Sequence, residues 1–430
     1  MIILLFVTAI LVAALTYVSI HEAEEDAYQS QFLESSTQII NQFLEETQVK
    51  FWACYSLSVA FTTEFEMNST WPWPNVTLPR FQIRFFGTTS FARSSAIAFS
   101  PLVTDDNKAS WESYALQNEN LLWWDDSVRY LAEMEKNDRN YRHQDQILAI
   151  NASDQQDRYQ NQIQPQIRQL QSNHEIADGI YRIQDGVAMD DAGPGPYLPI
   201  WQIYPPTTAN KNSVMYNQMS DAVRARAIST MLETERPAIT EVLSHDSKES
   251  RGTLYYPVFD GFYDDPRVVG ATSVEFTWED TFRHVLPADS KAILCVLENS
   301  YGQQHSYRIE GEDVYCLGEG DLHDNKFNDM EKSSSFDDFL QIYQADMVFG
   351  TNSSLEDNNI FTGEGSNRRN GKRSNRRRTQ EDPALYFVRL YPTQEFQNEY
   401  MTSKPILYSV TTVAIIAFLS AVILIYECLL

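Results

Sequence analysis

The sequence predicts an α+β protein held between two membrane-crossing helices, and three observations lead there. Residues 1–20 and 406–430 are apolar runs of about the ~20 residues a helix needs to cross a ~30 Å hydrocarbon core, and every Lys and Arg falls between them. Residues 21–67 contain neither Gly nor Pro, and Phe32, Ile39, Ile40, Phe43, Phe51, Cys54 and Ser58 recur on one face at helical spacing. From residue 253 onward the pattern changes to short β-rich runs bounded by turn residues. The middle of the chain is long enough for two or three folding units of ~100–200 residues. At 43 % hydrophobic and 13 % aromatic it can bury a core. A net charge of −26 argues against nucleic acid as a partner, because the phosphates would repel it.

The first apolar run reads as a retained anchor. A cleaved signal peptide has a basic start, an apolar core of ~7–15 residues and a small-x-small cleavage site. Here no basic residue precedes the run, and Tyr17, Val18 and Ile20 spoil the cleavage pattern. Neither outer flank carries Lys or Arg, so charge does not set the orientation; this absence predicts a chain that continues past its ends. Four Asn-x-Ser/Thr sequons, Asn68, Asn75, Asn151 and Asn352, are candidate glycosylation sites and permit an extracellular or lumenal location for residues 21–405.

Between the membrane segments, residues 21–68 read as one amphipathic stalk helix rising from the bilayer, its apolar stripe packed on a twin helix or on its own domain. Trp71-Pro72-Trp73-Pro74 ends it, since Pro cannot continue a helix. A strand follows at 95–99, then a polar helical region over 108–171 in which Trp123-Trp124 reads as core. Strands at 180–183 and 198–204 flank the turn-rich Gly193-Pro194-Gly195-Pro196. Residues 213–243 read as helical with a break at Pro237, and strands are expected at 253–259, 268–276, 292–297, 306–317 and 386–391.

The remaining chemistry is sparse. Cys295 and Cys316 lie near the ends of two strand-like runs, so the alternatives are a hairpin disulfide and two small buried thiols. His323 beside Asp321 and Asp324, next to Gly318 and Gly320, reads as a structural turn ahead of a metal site. Arg368, Arg369, Lys372, Arg373, Arg376, Arg377 and Arg378 cluster among Asn, Ser and Gly, which predicts a solvated disordered loop over about 353–382. HExxH, P-loop, G-x-S-x-G and paired-Cys zinc patterns are absent, so no catalytic or metal residue and no cofactor is assigned. Binding in a concave site is the more economical task.

Several segments resemble the CHASE family, an extracellular ligand-binding module attached to cyclases and histidine kinases. They are residues 99–115 (FSPLVTDDNKASWESYA), 197–206 (YLPIWQIYPP), the helix over 220–239 with Arg224 and Arg226, 253–260 (TLYYPVFD) and 268–282 (VVGATSVEFTWEDTF). Residues 297–303 (LENSYGQ), 317–324 (LGEGDLHD) and 389–396 (RLYPTQEF), with Tyr400 and Pro405, resemble receptor-type adenylate/guanylate cyclases of unicellular algae. No single motif is specific; the resemblance lies in their order and spacing over about 200 residues.

This resemblance implies two PAS-like α/β units: a distal ligand-sensing unit over 75–285 and a membrane-proximal unit over 286–400. It also implies a homodimer and a plasma-membrane receptor whose sensor feeds a cytoplasmic class III cyclase. The metal-binding carboxylates of such a cyclase would lie beyond Leu430, so the cyclase step is not assigned to these residues and no enzyme activity is expected of them. The family commonly has Cys at the positions of Ser300 and Ala384; neither is Cys here, which leaves Cys295–Cys316 as the replacement staple. In cytokinin-type relatives an acidic ligand contact aligns with Arg224 and a second contact aligns with Tyr255. An Arg at the first position favours an anionic small ligand, a carboxylate or phosphate, against the plainer role of solvating a helix. A stand-alone membrane-anchored binding protein is the main alternative, and an ectoenzyme a weaker one.

Overall fold

The computed structural model describes residues 2–67, 73–117, 121–146, 177–244, 250–283, 285–335 and 386–429. The chain divides into two compact units, one formed within residues 45–281 and the other from residues 1–44, 282–335 and 386–430. The expected basic loop and the sequons Asn68, Asn151 and Asn352 lie outside the described residues.

Helix α1 (Ile2–Met67) is continuous, with no break at His21 where the apolar run gives way to polar sequence. All seven residues of the predicted stripe are buried. Its first part, to Leu44, belongs to one unit and its remainder to the other.

In the unit within residues 45–281, β1 (Ala96–Pro101), β4 (Gln202–Tyr204), β5 (Ala238–Ile239), β6 (Leu243–Ser244), β7 (Ser250–Phe259) and β8 (Val268–Thr277) form one antiparallel sheet. The order is β4-β1-β8-β7-β5, with β6 also on β7, so the first and last strands pair at the centre. A separate hairpin, β2 (Tyr181–Gln184) and β3 (Val187–Asp190), turns at Asp185 and Gly186, both at positive φ. Around the sheet lie α2 (Phe81–Phe91), α3 (Lys108–Ala115), α4 (Leu122–Gln146), α5 (Thr208–Ser213) and α6 (Ala222–Thr234), and α7 (Trp278–Phe282) follows β8.

Side chains alternate across a strand, and β7 uses both faces. Tyr256 meets Tyr55 of α1 with ring centroids 5.8 Å apart. On the same side Ser58 Oγ donates to the Pro257 carbonyl at 2.5 Å, and Thr272 Oγ1 donates to the Cys54 carbonyl at 3.0 Å. Tyr255 turns to the other face, where it packs with Leu198, Ala271 and the α6 residues Ala227, Ile228 and Met231. Trp123 and Trp124 are core, as read from sequence: Trp123 sits 5.6 Å from Phe81 and 5.9 Å from Trp201.

The region 213–243 is less helical than its sequence suggests. Residues 218–220 form a 3-10 turn, α6 stops at Thr234 with Glu235 at φ 54°, and the chain after Pro237 enters β5 and β6. The Pro therefore begins a strand instead of interrupting a helix.

The second unit is built on β9 (Ile293–Asn299), β10 (Gln304–Glu310), β11 (Asp313–Glu319), β12 (Lys332–Ser335) and β13 (Tyr386–Pro392), in the antiparallel order β11-β10-β9-β13-β12. Here too the first and last strands are central neighbours. The core-facing side includes Tyr307, whose ring lies 5.6 Å from Phe282, which stacks on Phe43 of α1 at 5.3 Å. The run 306–317, expected as one strand, is a hairpin that turns at Gly311. Gly311 has φ 57°, and a Cβ there would stand 2.6 Å from the Ala288 carbonyl oxygen, so only glycine fits.

That hairpin also removes the expected Cys295–Cys316 disulfide. Tyr307 of β10 is opposite Cys295 on one side and Cys316 on the other, and the two thiols are not bonded to each other. Two strand spacings of ~4.8 Å separate them, beyond the ~7 Å Cα limit for a bridge. Burial pushes the Cys295 thiol up, which keeps it protonated and inert.

After β13 the chain forms α8 (Gln394–Tyr400) and α9 (Lys404–Leu429). The start of α9 is tied to α1: the Thr402 N–H and Oγ1 donate to the Glu24 carboxylate at 3.1 and 2.5 Å, while Thr402 Oγ1 accepts the Lys404 N–H at 3.1 Å. Further along, Ser409 Oγ donates to the Ala13 carbonyl at 2.9 Å beside the buried small residues Ala9 and Ala13. Both helices are long and apolar enough to cross a membrane.

Candidate ligand-binding site

Strand register assembles the site. Arg251, Thr253 and Tyr255 share one face of β7 at a spacing of two, and Glu275 of β8 lies directly opposite Thr253. On the same face stand Ser273 and Ala271 of β8, with Ala98 and Ser100 of β1 opposite them. These neighbours are small, so the long polar side chains dominate the surface. Helix α6 comes over this face with its apolar residues inward and delivers Arg224 from its first turn.

Asp221 fixes that turn. Its carboxylate accepts the N–H groups of Val223 and Arg224, each at 2.9 Å, a capping arrangement that satisfies two otherwise orphaned donors. Arg224 then reaches the sheet. Its Nη1 donates to Thr253 Oγ1 at 3.3 Å and to Tyr255 Oη at 3.5 Å, and its Nη2 lies 3.7 Å from Glu275 Oε2. Glu275 is shared with Arg251, 3.3 Å away. Two guanidinium groups thus share the Glu275 carboxylate.

Behind this group a hydrogen-bond chain holds the tyrosine. Tyr255 Oη donates to Gln218 Oε1 at 2.9 Å, and Gln218 Nε2 donates to Ser100 Oγ at 2.8 Å. Tyr255 and Gln218 are fully buried, so the chain fixes the orientation of both. Burial pushes the Tyr255 phenol up to about 12, although Arg224 pulls the other way. Burial also opposes the charge on Arg224, but Tyr255 and Glu275 more than offset this and hold the guanidinium above its ordinary value. Both groups therefore keep their neutral-pH forms, a phenol and a cation.

The structure brings together Arg224 and Tyr255, the two positions singled out from the sequence. Arg226, two residues on, points elsewhere and pairs with Glu241 at 2.7 Å. Thr253, Gln218, Glu275 and Arg251 were not singled out; the i, i+2, i+4 spacing of Arg251, Thr253 and Tyr255 was the available signal for two of them. Asn75 is half-buried with its side-chain oxygen sealed from solvent. Among the described residues no group of His, Cys, Asp and Glu is arranged to hold a metal ion.

Comparison with known families matches residues 76–305, more than half of the chain, to the CHASE domain. The chain belongs to the CHASE family. No curated protein matches it. CHASE is a sensor domain found in receptor cyclases and histidine kinases, and it is not a catalytic one. The match begins just after the break that follows α1, covers all of β1 to β8, and ends in β10 at His305. A CHASE sensor in a chain with two apolar helices points to a membrane protein with an extracellular region.

Proposed function

We propose that this chain is the input region of a membrane receptor whose CHASE module binds a small anionic ligand at Arg224 and Tyr255. The observation that supports this reading is the loose seating of Arg224. The partners of its guanidinium stand 3.3–3.7 Å away, and Glu275 among them is shared with a second arginine. A carboxylate or phosphate that reached the guanidinium would gain charge-assisted, bidentate bonds shorter than any it now makes. The two sheets are read as PAS-like units, the first distal and ligand-sensing and the second next to the membrane. Their matching pattern, first and last strands paired at the centre, supports this.

In this reading α1 is the stalk. The ligand biases α1 and α9 as a homodimer in the plasma membrane and thereby controls a cytoplasmic class III nucleotide cyclase. A ligand shifts such an equilibrium only by its difference in affinity for the two states. Thermal-shift measurements on the full chain in nanodiscs, against a panel of carboxylates and phosphate esters, test the site. Saturation with a binder at about 100 times its Kd adds about 2.7 kcal/mol, and Arg224→Ala is expected to abolish the shift. A shift that survives in the variant would sink the assignment. Sequencing of the transcript past the codon for Leu430 tests the cyclase output.

A further inference from the structure

A second polar cluster lies on the outer face of the other sheet, and it is built around a histidine. The His323 ring stacks on Tyr391 of β13 with centroids 3.9 Å apart and planes 6° from parallel. Its Nδ1 lies 2.5 Å from Asp321 Oδ1 and its Nε2 lies 2.5 Å from Asn328 Oδ1. Both nitrogens therefore face oxygen acceptors. A neutral imidazole has only one N–H, and both nitrogens donate only in the imidazolium. When the ring is neutral, one bond is lost or Asn328 must turn its NH2 toward the bare nitrogen.

The surrounding charges belong to the same fastening. Asp321 Oδ2 pairs with Arg389 Nη1 of β13 at 3.1 Å, and Arg389 also pairs with Glu298 of β9 at 2.9 Å. Glu331 accepts the Tyr391 hydroxyl at 2.9 Å, Asp324 pairs with Lys326 at 3.3 Å, and Lys326 Nζ donates to Gln394 at the start of α8. Residues 321–331 are thus fixed to the strand and helix that lead directly into α9, with His323 in the middle.

We propose that His323 is a second input of this receptor region, a proton-operated clamp that fastens residues 321–330 to β13 when its ring is charged. The carboxylates Asp321, Asp324 and Glu331 face it, Arg389 and Lys326 oppose it, and the balance favours the cation. Burial works against the charge, but the bonds to Asn328 and Asp321 outweigh it and hold the ring above its ordinary value. The clamp is complete below the ordinary histidine value near 6.5 and is released as pH rises through the higher folded midpoint. It uses none of the residues at Arg224 and does not depend on the ligand reading.

His305 supplies an internal reference. It lies on the opposite face of the same sheet, 6 % exposed, with no hydrogen-bond partner on either ring nitrogen among the described residues, and burial holds it below its ordinary value. Deuterium exchange at the imidazole carbon, read by mass spectrometry on the full chain in nanodiscs between pH 5 and 9, gives each histidine its own midpoint. His323 is expected above 6.5 and above His305, and a value at or below 6.5 overturns the proposal. Asn328→Asp is expected to raise the His323 midpoint by about half a pH unit, roughly a threefold gain in proton affinity; no shift would remove Asn328 as the second acceptor. Amide exchange over residues 321–330, corrected for its intrinsic pH dependence, is expected to accelerate through that midpoint in the native chain and not in His323→Gln. Identical profiles in the two proteins would show that the loop does not read the histidine.

Discussion

Arg224 and Arg389 make an instructive pair. Each serves an antiparallel sheet whose first and last strands are central, each reaches a tyrosine hydroxyl, and their side chains are similarly covered at 18 % and 21 % exposure. They differ in how close their carboxylates stand. Arg389 holds Glu298 at 2.9 Å and Asp321 at 3.1 Å, whereas Glu275 stands 3.7 Å from the Arg224 guanidinium and is shared with Arg251. An arginine between two close carboxylates has its charge neutralised within the fold. One with long contacts and a divided counter-ion keeps attraction to spare for a ligand. Similar coverage therefore conceals two roles, and partner distances separate them.

The comparison can be broken by mutation, and the largest effect is expected at Arg389. Arg389→Met leaves Glu298 without this cation and Asp321 with His323 alone, and should cost about 2 kcal/mol in denaturant unfolding of the full chain. A loss below about 1 kcal/mol would mean that carboxylate distance is not what distinguishes this arginine. Tyr255→Phe should cost about 1–2 kcal/mol, because the buried Gln218 Oε1 loses its donor; a neutral result would show that the chain behind the site is not holding it.

Acid offers a third test, confined to the second sheet. His305 is held below its ordinary value by burial, so the unfolded chain takes up its proton first. Stability should fall as pH drops below about 6.5, by at most about 1.4 kcal/mol per pH unit for one proton. His305→Leu should flatten that slope, and thermal melts from pH 7 to 5 will show whether it does. The smallest stability effect is expected at Arg224. Without ligand, Arg224→Ala should cost less than about 1 kcal/mol, because its contacts are long and Glu275 keeps Arg251. A loss equal to that of Arg389→Met would erase the contrast.

The parts of the fold that could be read from the sequence were those governed by local period. The buried face of α1 follows helical spacing, and β1, β7 and β8 follow dense β-branched and aromatic runs. The β10–β11 hairpin was missed because both arms look alike and a single glycine is a weak turn signal. The site was readable in halves. Arg224 and Tyr255 were marked by resemblance, but nothing in their spacing shows that they meet. Gln218 sits in a short 3-10 turn with no periodic signature. At His323 the neighbour Asp321 was visible along the chain, while Tyr391 and Arg389 enter only through the pairing of β13.

Strands β12 and β13 are paired, Ser335 opposite Phe387, although residues 336–385 separate them in sequence. Closure entropy grows only with the logarithm of length, about 0.6 kcal/mol per doubling. Replacing that segment by a turn of about six residues removes three doublings and returns about 2 kcal/mol. The pairing of β12 with β13 is therefore one the chain closes at modest entropic cost despite their separation in sequence.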